Sequence, residues 1–593
     1  MSTYEDRLNA LREQLKRDRL DGFVVPLTDE HMSEYVGAYA QRLAWLTGFQ
    51  GSAGSAVVLP EEAAIFVDGR YTLQVREQVD AKHWQYVGVP QSSVAEWLRE
   101  HTSGGARIGY DPWLHTKRWV NQAAEALAEK GAELIAVNSN PVDAVWPDRP
   151  APSKAKLIVH PESYAGRSST DKRREIADWL ISKKADAVVL SALDSIAWTL
   201  NVRGQDVDRT PVALAYAIIH ADATADLYVA PEKLADDVVA HLGNAVRVHD
   251  RADFASDLAS FAGKRIAADP ERAVAAIFDR LEQGGADVLE LRDPAVLPKA
   301  VKNGTEIAGH KAAQARDGAA LSRFLHWLSV EAPSGSLTEM AAADRLQALR
   351  EDTGCLVDLS FDTISGAGPN GAVVHYRAEE KTNRAIEMGT LYLVDSGGQY
   401  RDGTTDVTRT VAIGTPTDEM QQRFTLVLKG HIALARAQFP KGTRGSQLDV
   451  LARQYLWAAG LDYAHGTGHG VGSFLSVHEG PQRIATFGGG DEPLQPGMIL
   501  SNEPGYYKTG EYGIRIENLV LVEKRELSGA EREMMGFETL TFAPIDRHLV
   551  DVAMLVQDER DWLNSYHARV LEIVGPQLAG EAKTWLEAAC APL

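Results

Sequence analysis

The chain has 593 residues, of which 45% are hydrophobic and 24% are charged, an ordinary composition for a folded protein of about three domains. No apolar run reaches the roughly 20 residues of a membrane-spanning helix, and the formal net charge of −21 argues against nucleic-acid binding, which requires clustered Lys and Arg. Only Cys355 and Cys590 occur, too few for a disulfide framework, and the first residues lack a signal peptide's apolar region, so we predict a cytoplasmic protein.

The N-terminal half of the sequence repeats one pattern. In each copy a helical segment leads into a short apolar strand, and a tryptophan-containing segment and further strands follow. The matching segments are 5–16, 21–26 and 42–49 in the first copy, and 170–183, 185–190 and 194–201 in the second. This pattern predicts an α/β fold that is present twice.

Two proline-containing segments indicate where domains meet. The segment 141–152 is rich in proline and is predicted to be a linker, and the segment 292–298 is predicted to be a second, weaker linker. We therefore predict three domains, which cover residues 1–155, 156–297 and 298–593.

The third region begins with helical patterns. Residues 306–330 predict an amphipathic helix, and 336–339 predict a capping box that opens a helix toward Gly354. A further helix is predicted to begin with Thr415 as its N-cap, because a proline follows at the first helical position, and to end near Gln438.

Two aspartates lie at the ends of predicted strands. Asp395 follows the apolar run 391–394, and Asp406 follows a turn and leads into the run 407–411. The turn between the two runs predicts a β-hairpin that carries both carboxylates.

A glutamate interrupts a later apolar run. Glu517 lies within residues 513–522, so we predict a carboxylate inside a buried strand, where it needs a partner. Side chains alternate along a strand, which places Arg515 and Glu517 on one face and predicts that this face lines a site.

The segment 465–472 is rich in glycine. It lacks the Lys-Ser/Thr of a P-loop and does not match the dinucleotide fingerprint, so a nucleotide site is not predicted. The glycines instead allow the backbone to approach a site closely and leave His465 and His469 free to point into it. The residues alone leave open which histidine is the ligand.

Metal-ligating side chains are therefore concentrated in the third region. They are Asp395, Asp406, Glu503, Glu517 and one histidine of the glycine-rich segment. Taken singly, the acids have ordinary explanations as a turn former, a strand-edge carboxylate or a surface loop residue. Taken together, four carboxylates and an imidazole without a thiolate suit Mn²⁺, Co²⁺ or Zn²⁺ and predict a two-metal hydrolase.

These motifs resemble the pita-bread metallopeptidases and, within them, the long three-domain form of Xaa-Pro aminopeptidase, also called aminopeptidase P. The motifs are 393–397, 405–410, 465–472, 502–507 and 513–518, and the tail 561–567 is also typical of the long form. The resemblance implies a mixed α/β (α+β) architecture, with two creatinase-like N-terminal α/β domains followed by a pita-bread catalytic domain with a C-terminal extension.

The resemblance also implies a role for each ligand. Asp395 is expected to chelate one ion, Asp406 and Glu517 to bridge both ions, and His469 and Glu503 to complete the second site. It implies two divalent ions, with Mn²⁺ preferred and Co²⁺ or Zn²⁺ as alternatives.

Further histidines are implied to take part in catalysis. The implied catalytic residues are His375, His465, His478 and Glu503, although a single buried histidine more often has a structural role. His375 and His478 are expected to bind substrate and transfer protons, and His465 to line the same pocket. Tyr507 and Arg515 are expected to orient the carboxylates.

The implied activity is hydrolysis of the N-terminal Xaa-Pro bond of short peptides by a hydroxide that bridges two divalent ions. The implied partners are peptides with proline at the second position and a second copy of the chain in a homodimer. Two alternatives remain: a prolidase that acts on Xaa-Pro dipeptides but usually has one N-terminal domain, and a non-catalytic pita-bread binding module.

Overall fold

The computed structural model describes residues 3–486 and 492–593. Contacts within the chain define two compact units. The first unit extends up to Glu162 and resumes over Arg167–Val296, and the second consists of Ser163–Gly166 and Leu297–Leu593. Within the described ranges, no helix has both the length and the apolar character needed to cross a bilayer.

The first unit begins with a six-stranded sheet and its helices. The strands are β1 Gly22–Pro26, β2 Ser55–Val58, β3 Ala63–Val67, β4 Gln85–Gly88, β5 Arg107–Tyr110 and β6 Glu133–Ala136. The helices are α1 Tyr4–Arg17, α2 Arg42–Thr47, α3 Gln74–Gln78, α4 Val94–His101, α5 Lys117–Ala128 and α6 Pro141–Val145. The strand order is β4-β3-β2-β1-β5-β6. Strand β2 pairs antiparallel with both β1 and β3, and the pairs β3-β4, β1-β5 and β5-β6 are parallel.

A second six-stranded sheet follows in the same unit. The strands of this sheet and of one separate pair are β7 Ile158–Val159, β8 Ala187–Leu190, β9 Val202–Arg203, β10 Ala215–His220, β11 Ala225–Val229, β12 Val246–His249, β13 Arg265–Ala268 and β14 Asp287–Glu290. The helices are α8 Ser169–Lys183, α9 Leu193–Leu200, α10 Asp236–Leu242, α11 Phe254–Asp257 and α12 Ala275–Gln283. The short helix α7 Glu162–Ala165 precedes them, and its last three residues belong to the second unit. The sheet order is β12-β11-β10-β8-β13-β14, while β7 pairs separately with β9.

The two sheets confirm the predicted duplication. They share one order of parallel and antiparallel pairings, and they also share local hydrogen bonds. The backbone N–H of Arg107 donates to Asp21 Oδ2 at 2.8 Å, and the backbone N–H of Arg265 donates to Asp186 Oδ2 at 2.8 Å. Each arginine also donates from its side chain to the carbonyl two residues before that aspartate.

The predicted linkers are more ordered than their proline content indicates. Most of the first half of 141–152 forms α6, in which Val142 is buried, and Trp146 directly after it stacks on a tryptophan of α2. The segment 292–298 is also packed, because the buried Val296 begins the helix α13 Val296–Ala300. Burial of apolar side chains outweighs the local preference of proline for extended chain.

The second unit contains the remaining helices. They are α14 Gly304–Glu331, α15 Glu339–Glu351, α16 Asp418–Ala435, α17 Gly445–Ala458, α18 Gln557–Val574 and α19 Gly580–Ala589. The prediction of α14 as amphipathic is wrong, because six consecutive residues, 317–322, are buried and the helix is packed on all sides there.

Two predicted helix starts are also wrong by two residues. The N-cap of α15 is Thr338 and not Ser336, because its side chain accepts the N–H of Ala341 at 3.3 Å. The N-cap of α16 is Thr417 and not Thr415, and two acidic residues in its first turn favour this start. This helix ends at Ala435 because the following segment joins a sheet.

The strands of the second unit form several small sheets. They are β15 Leu356–Leu359, β16 Ile364–Ala367, β17 Thr390–Ser396, β18 Gly398–Tyr400, β19 Gly403–Thr404, β20 Val407–Ile413, β21 Gln438–Pro440, β22 Gly468–Gly470, β23 Glu479–Ile484, β24 Ile499–Asn502, β25 Gly505–Lys508, β26 Tyr512–Arg515, β27 Asn518–Arg525 and β28 Met534–Thr539. The sheet orders are β16-β17-β20, β15-β18-β19, β25-β26 and β21-β28-β27-β24-β22-β23.

The strands that carry the acidic residues follow the prediction in part. The strands β17 and β20 pair antiparallel with Asp395 opposite Thr408, as predicted, but the predicted turn joins β18 to β19, which lie between them in the chain and pair in a separate sheet. Glu517, however, lies in the break between β26 and β27 and not inside one strand. Its N–H donates to the carbonyl of Thr408 at 3.2 Å, so the chain leaves one sheet here to pair with β20.

Candidate metal centre

Five separate segments of the second unit bring the predicted ligands together. Asp395 lies at the end of β17, and Asp406 lies directly before β20. His469 lies in β22, Glu503 directly follows β24, and Glu517 directly precedes β27. Because strands or the residues directly beside them position all five side chains, a rigid framework fixes their spacing.

The side chains approach one another closely. Asp406, His469 and Glu517 each offer a ligand atom, and these three atoms lie within 4.8 Å of one another. His469 Nε2 lies 3.4 Å from Asp406 Oδ2 and 3.5 Å from Glu503 Oε1. The imidazole nitrogen therefore faces two carboxylates at once.

Negative charge is concentrated in this buried site. Burial is the largest cause that raises the pKa of Asp395 to about 6, and the charges of Asp406 and Glu503 contribute to this rise while Arg515 opposes it. Burial and the same neighbouring carboxylates raise the pKa of Glu517 well above its usual range. Divalent cations would relieve this repulsion, because they neutralise carboxylates that otherwise have to bind protons.

His469 is oriented as a ligand. Its Nδ1–H donates to the carbonyl of Gly470 at 3.0 Å, so Nε2 is the ring nitrogen that faces the carboxylates. Burial disfavours the imidazolium, but Asp406 and Glu503 outweigh that effect and raise the pKa of His469 to about 9. His465 differs, because its Nε2 lies 2.8 Å from the hydroxyl of Tyr507. The geometry thus favours His469 over His465 as the ligand.

The donor set fits two divalent ions. Among the described residues, Asp395 Oδ1 is buried and has no hydrogen-bond partner, so one carboxylate oxygen is available for coordination. The other atoms that converge are carboxylate oxygens and an imidazole nitrogen, a combination that Mn²⁺, Co²⁺ and Zn²⁺ all accept.

A chain of hydrogen bonds supports the other oxygen of Asp395. Arg515 Nη2 donates to Asp395 Oδ2 at 2.6 Å, and Arg515 Nη1 donates to the Tyr507 hydroxyl at 2.7 Å. The Tyr507 hydroxyl in turn donates to His465 Nε2, and burial raises the pKa of Tyr507 to about 12. The structure therefore connects the predicted supporting residues Arg515 and Tyr507 to the predicted ligand Asp395.

The two remaining histidines lie in different surroundings. The His478 ring packs edge-on against the His469 ring, with 4.3 Å between centroids. Glu479, the next residue, is buried and accepts from Lys299 Nζ at 2.8 Å and from Lys302 Nζ. His375 is half-buried in a turn that follows the 3₁₀ helix Gly368–Ala372.

Two hydroxyl groups at the site were not predicted from the sequence. Thr408 Oγ1 donates to Glu517 Oε2 at 2.7 Å, and Ser501 Oγ donates to Glu503 Oε1 at 3.2 Å. Both hydroxyl residues lie two positions from a predicted ligand, Thr408 after Asp406 and Ser501 before Glu503. Because residues i and i+2 of a strand share a face, this spacing was the signal that could have identified them.

Comparisons with known proteins agree with this arrangement. A family profile described as metallopeptidase family M24 matches residues 308–524, and a C-terminal region of the same family matches residues 533–593. Profiles described as creatinase/prolidase N-terminal domain match residues 7–144 and 148–306. These matches confirm the fold expected from the resemblance, with two creatinase-like domains before a pita-bread domain.

Whole-chain relatives identify the family more narrowly. A probable Xaa-Pro aminopeptidase P of Aspergillus flavus is 43% identical over 96% of this chain and 89% of its own, and that of Tuber melanosporum is 43% identical over 95% of both chains. The crystal structure of X-prolyl aminopeptidase from Caenorhabditis elegans, described as a cytosolic enzyme with a di-nuclear active site, superposes with a TM-score of 0.95 at 36% identity over 100% of both chains. The chain therefore belongs to the Xaa-Pro aminopeptidase P family of the M24 metallopeptidases.

Proposed function

We propose that this chain is a metallo-aminopeptidase that hydrolyses the N-terminal Xaa-Pro bond of short peptides. The observation that carries this proposal is the convergence of Asp395, Asp406, His469, Glu503 and Glu517 in one buried, acid-rich site. The names of the whole-chain relatives support the choice of substrate.

The proposed ligation follows the roles implied by the resemblance. Asp395 would hold one ion, Asp406 and Glu517 would contribute to holding both, and His469 with Glu503 would complete the second site. We propose Mn²⁺ as the metal on the family resemblance, with Co²⁺ or Zn²⁺ as alternatives that the donor set also accepts. The di-nuclear active site described for the Caenorhabditis elegans enzyme supports a pair of ions.

Two bound divalent ions would supply a water of lowered pKa and polarise the scissile carbonyl. The protein residues position the groups that move protons. Glu503 would pass a proton to the leaving proline nitrogen, and Ser501 Oγ, at 3.2 Å, orients its carboxylate. His375 and His478 would donate hydrogen bonds to the carbonyl oxygen as negative charge develops there.

The chemistry of proline explains why a site that cleaves before it has to be specialised. The proline nitrogen has no N–H and forms a tertiary amide, so a site that recognises a backbone N–H at this position accepts it poorly. The His465, Tyr507 and Arg515 chain forms a fixed polar wall beside Asp395, which would order a short peptide at its first two residues.

A comparison of three substrates tests the proposed activity. We expect an Xaa-Pro-Yaa tripeptide to lose its first residue, an Xaa-Ala-Yaa control to remain largely intact, and chelation followed by Mn²⁺ to abolish and restore cleavage. Cleavage of the Xaa-Pro dipeptide alone would instead identify a prolidase. A folded sample that cleaves none of these with any divalent ion would favour the non-catalytic binding module.

Other parts of the prediction also remain proposals. We propose a cytoplasmic location, supported by the description of the Caenorhabditis elegans relative as cytosolic. A homodimer and domain edges near residues 155 and 297 are proposed on the family resemblance. Sedimentation of the purified chain tests the homodimer, and limited proteolysis tests the domain edges.

A further inference from the structure

A layer of buried polar side chains lies behind the metal-binding strands. We call it the polar clamp, and it consists of Arg409, His431, Asn502, Asn518 and Tyr566. All five side chains are buried, and none of them is a proposed ligand or proton donor. Buried polar groups are retained only when hydrogen bonds satisfy them, so the partners of this layer indicate what it holds.

Arg409 is the centre of the clamp. Its side chain is 1% exposed and donates from all three nitrogen atoms. Nη1 donates to the carbonyls of Glu517 at 2.6 Å and Thr408 at 2.8 Å, and thus holds the backbone of a proposed bridging ligand. The other acceptors are Asn518 Oδ1 at 2.8 Å, the Tyr566 hydroxyl at 2.7 Å, the Ala543 carbonyl at 2.8 Å and the Pro544 carbonyl at 3.1 Å.

A second branch reaches the neighbouring ligand. Asn518 Nδ2 lies 3.2 Å from His431 Nε2, and His431 Nδ1–H donates to the carbonyl of Asn502 at 3.1 Å. Asn502 Nδ2 returns a hydrogen bond to the His431 carbonyl at 3.0 Å. Asn518 directly follows Glu517 and Asn502 directly precedes Glu503, so one network holds the backbone beside both glutamate ligands.

The clamp also includes the C-terminal region. Tyr566 lies in α18, and the Ala543 and Pro544 carbonyls precede that helix. Tyr566 is locked in turn, because its hydroxyl donates to the Ala543 carbonyl at 2.8 Å while it accepts from Arg409. Carboxylates that repel one another need a rigid backbone to stay close, and this network supplies one.

We propose that Arg409 is a positioning residue of the metal centre and that the C-terminal region contributes to metal affinity through Tyr566. This inference rests on the proposed dinuclear function. It assigns the C-terminal region a part in holding Glu517, although the ligands themselves all lie within residues 395–517. Neither Arg409 nor Tyr566 touches substrate, so both act through the ligands.

The test compares two clamp variants with a matched control in the full-length chain. Tyr566→Phe removes one hydroxyl and keeps the ring, and Arg409→Lys keeps the charge but loses the forked geometry. Val570→Ala serves as the control, because it weakens the packing of the same helix at a buried site outside the clamp. Circular dichroism and a urea unfolding curve establish that each variant is folded.

Calorimetric titration of the metal-free proteins with Mn²⁺ gives the first readout. We expect Tyr566→Phe and Arg409→Lys to weaken binding of at least one ion by about 10- to 100-fold, while Val570→Ala binds as the unaltered chain does. With saturating Mn²⁺, we expect kcat on the tripeptide to fall while KM stays within about twofold, since no group that contacts substrate has changed.

The results that would overturn the inference can be told apart from the result that would overturn the proposed function. Unaltered Mn²⁺ affinity in the folded Tyr566→Phe variant would overturn the inference, and so would an equal loss in Val570→Ala, which would indicate general loosening of the helix. If the unaltered chain binds no divalent ion, the proposed function itself fails, and the clamp inference fails with it. The titration thus separates the two failures.

Discussion

Replacement of Glu479 by Gln removes the carboxylate that two buried lysines share. The exposed fractions of the Lys299, Lys302 and Glu479 side chains are 1%, 1% and 0%, so water cannot solvate the ammonium groups that remain. Removal of one partner from a buried ion pair costs about 3–5 kcal/mol, because it leaves an uncompensated charge. We expect Glu479→Gln to lower the free energy of unfolding by that amount at neutral pH.

Urea unfolding followed by circular dichroism measures the effect. With an m-value of about 3 kcal/mol per M, the expected loss moves the unfolding midpoint down by about 1–2 M. Lys302→Met is the matched comparison, because Glu479 then keeps its bond from Lys299 Nζ at 2.8 Å and a hydrophobic side chain of similar length fills the space. We expect this variant to lose less than half as much.

Equal midpoints for the two variants would refute this reasoning. Equal midpoints would mean that the number of lysines per carboxylate does not affect stability and that the three side chains contribute to the free energy of unfolding only by packing. Because His478 directly precedes Glu479, we also expect Glu479→Gln to lower kcat on the tripeptide, whereas Lys302→Met keeps the loop anchored through Lys299.

Four further outcomes are expected. Asp406→Asn or Glu517→Gln should lower kcat by at least about 10³-fold and reduce the Mn²⁺ stoichiometry measured by calorimetry, and normal activity in either would exclude it as a ligand. Tyr507→Phe should lower kcat about tenfold with little change in stability, because Arg515 and His465 lose their shared partner, and steady-state kinetics would detect this. Mn²⁺ at about 100 times its Kd should stabilise the folded chain by about 2.7 kcal/mol and so raise its Tm. A chelator should reverse this rise, and an unchanged Tm would count against binding. Burial raises the pKa of Asp29 to about 6, so this group stabilises the fold below about pH 4 and loses its contribution as pH rises through 6. In Asp29→Asn, the difference between the urea midpoints at pH 4 and pH 7.5 should therefore become smaller. An unchanged dependence of the midpoint on pH would contradict the assignment.

Local patterns in the sequence were sufficient for much of the fold and for candidates at the site. The pairing of β17 with β20 was predictable because a turn separates two apolar runs, and the duplicated sheets were predictable because whole segments recur. The ends of α15 and α16 were misplaced because several hydroxyl residues compete for the N-cap, and only one has the backbone geometry to accept the first N–H groups.

The contacts that support the ligands were beyond local prediction. Arg515 and Asp395 are 120 positions apart, and Arg409 and Tyr566 are 157 positions apart, so no periodicity relates them. Glu517 was expected inside a strand because its neighbours are apolar, yet the break that places it at the site depends on pairing with Thr408. The supporting residues could therefore be identified only from the three-dimensional arrangement of the strands.

The repeated sheet in the first unit also shows which part of the repeated fold differs between the copies. The strand order and the aspartate contacts at residues 21 and 186 are the same in both copies, but the connection after the first strand of each sheet is not. It spans residues 27–41 in the first copy and only 191–192 in the second. Both copies keep the same sheet, whereas residues 27–41 give the first copy a connection with no counterpart of equal length in the second, so a role limited to the first copy can reside there.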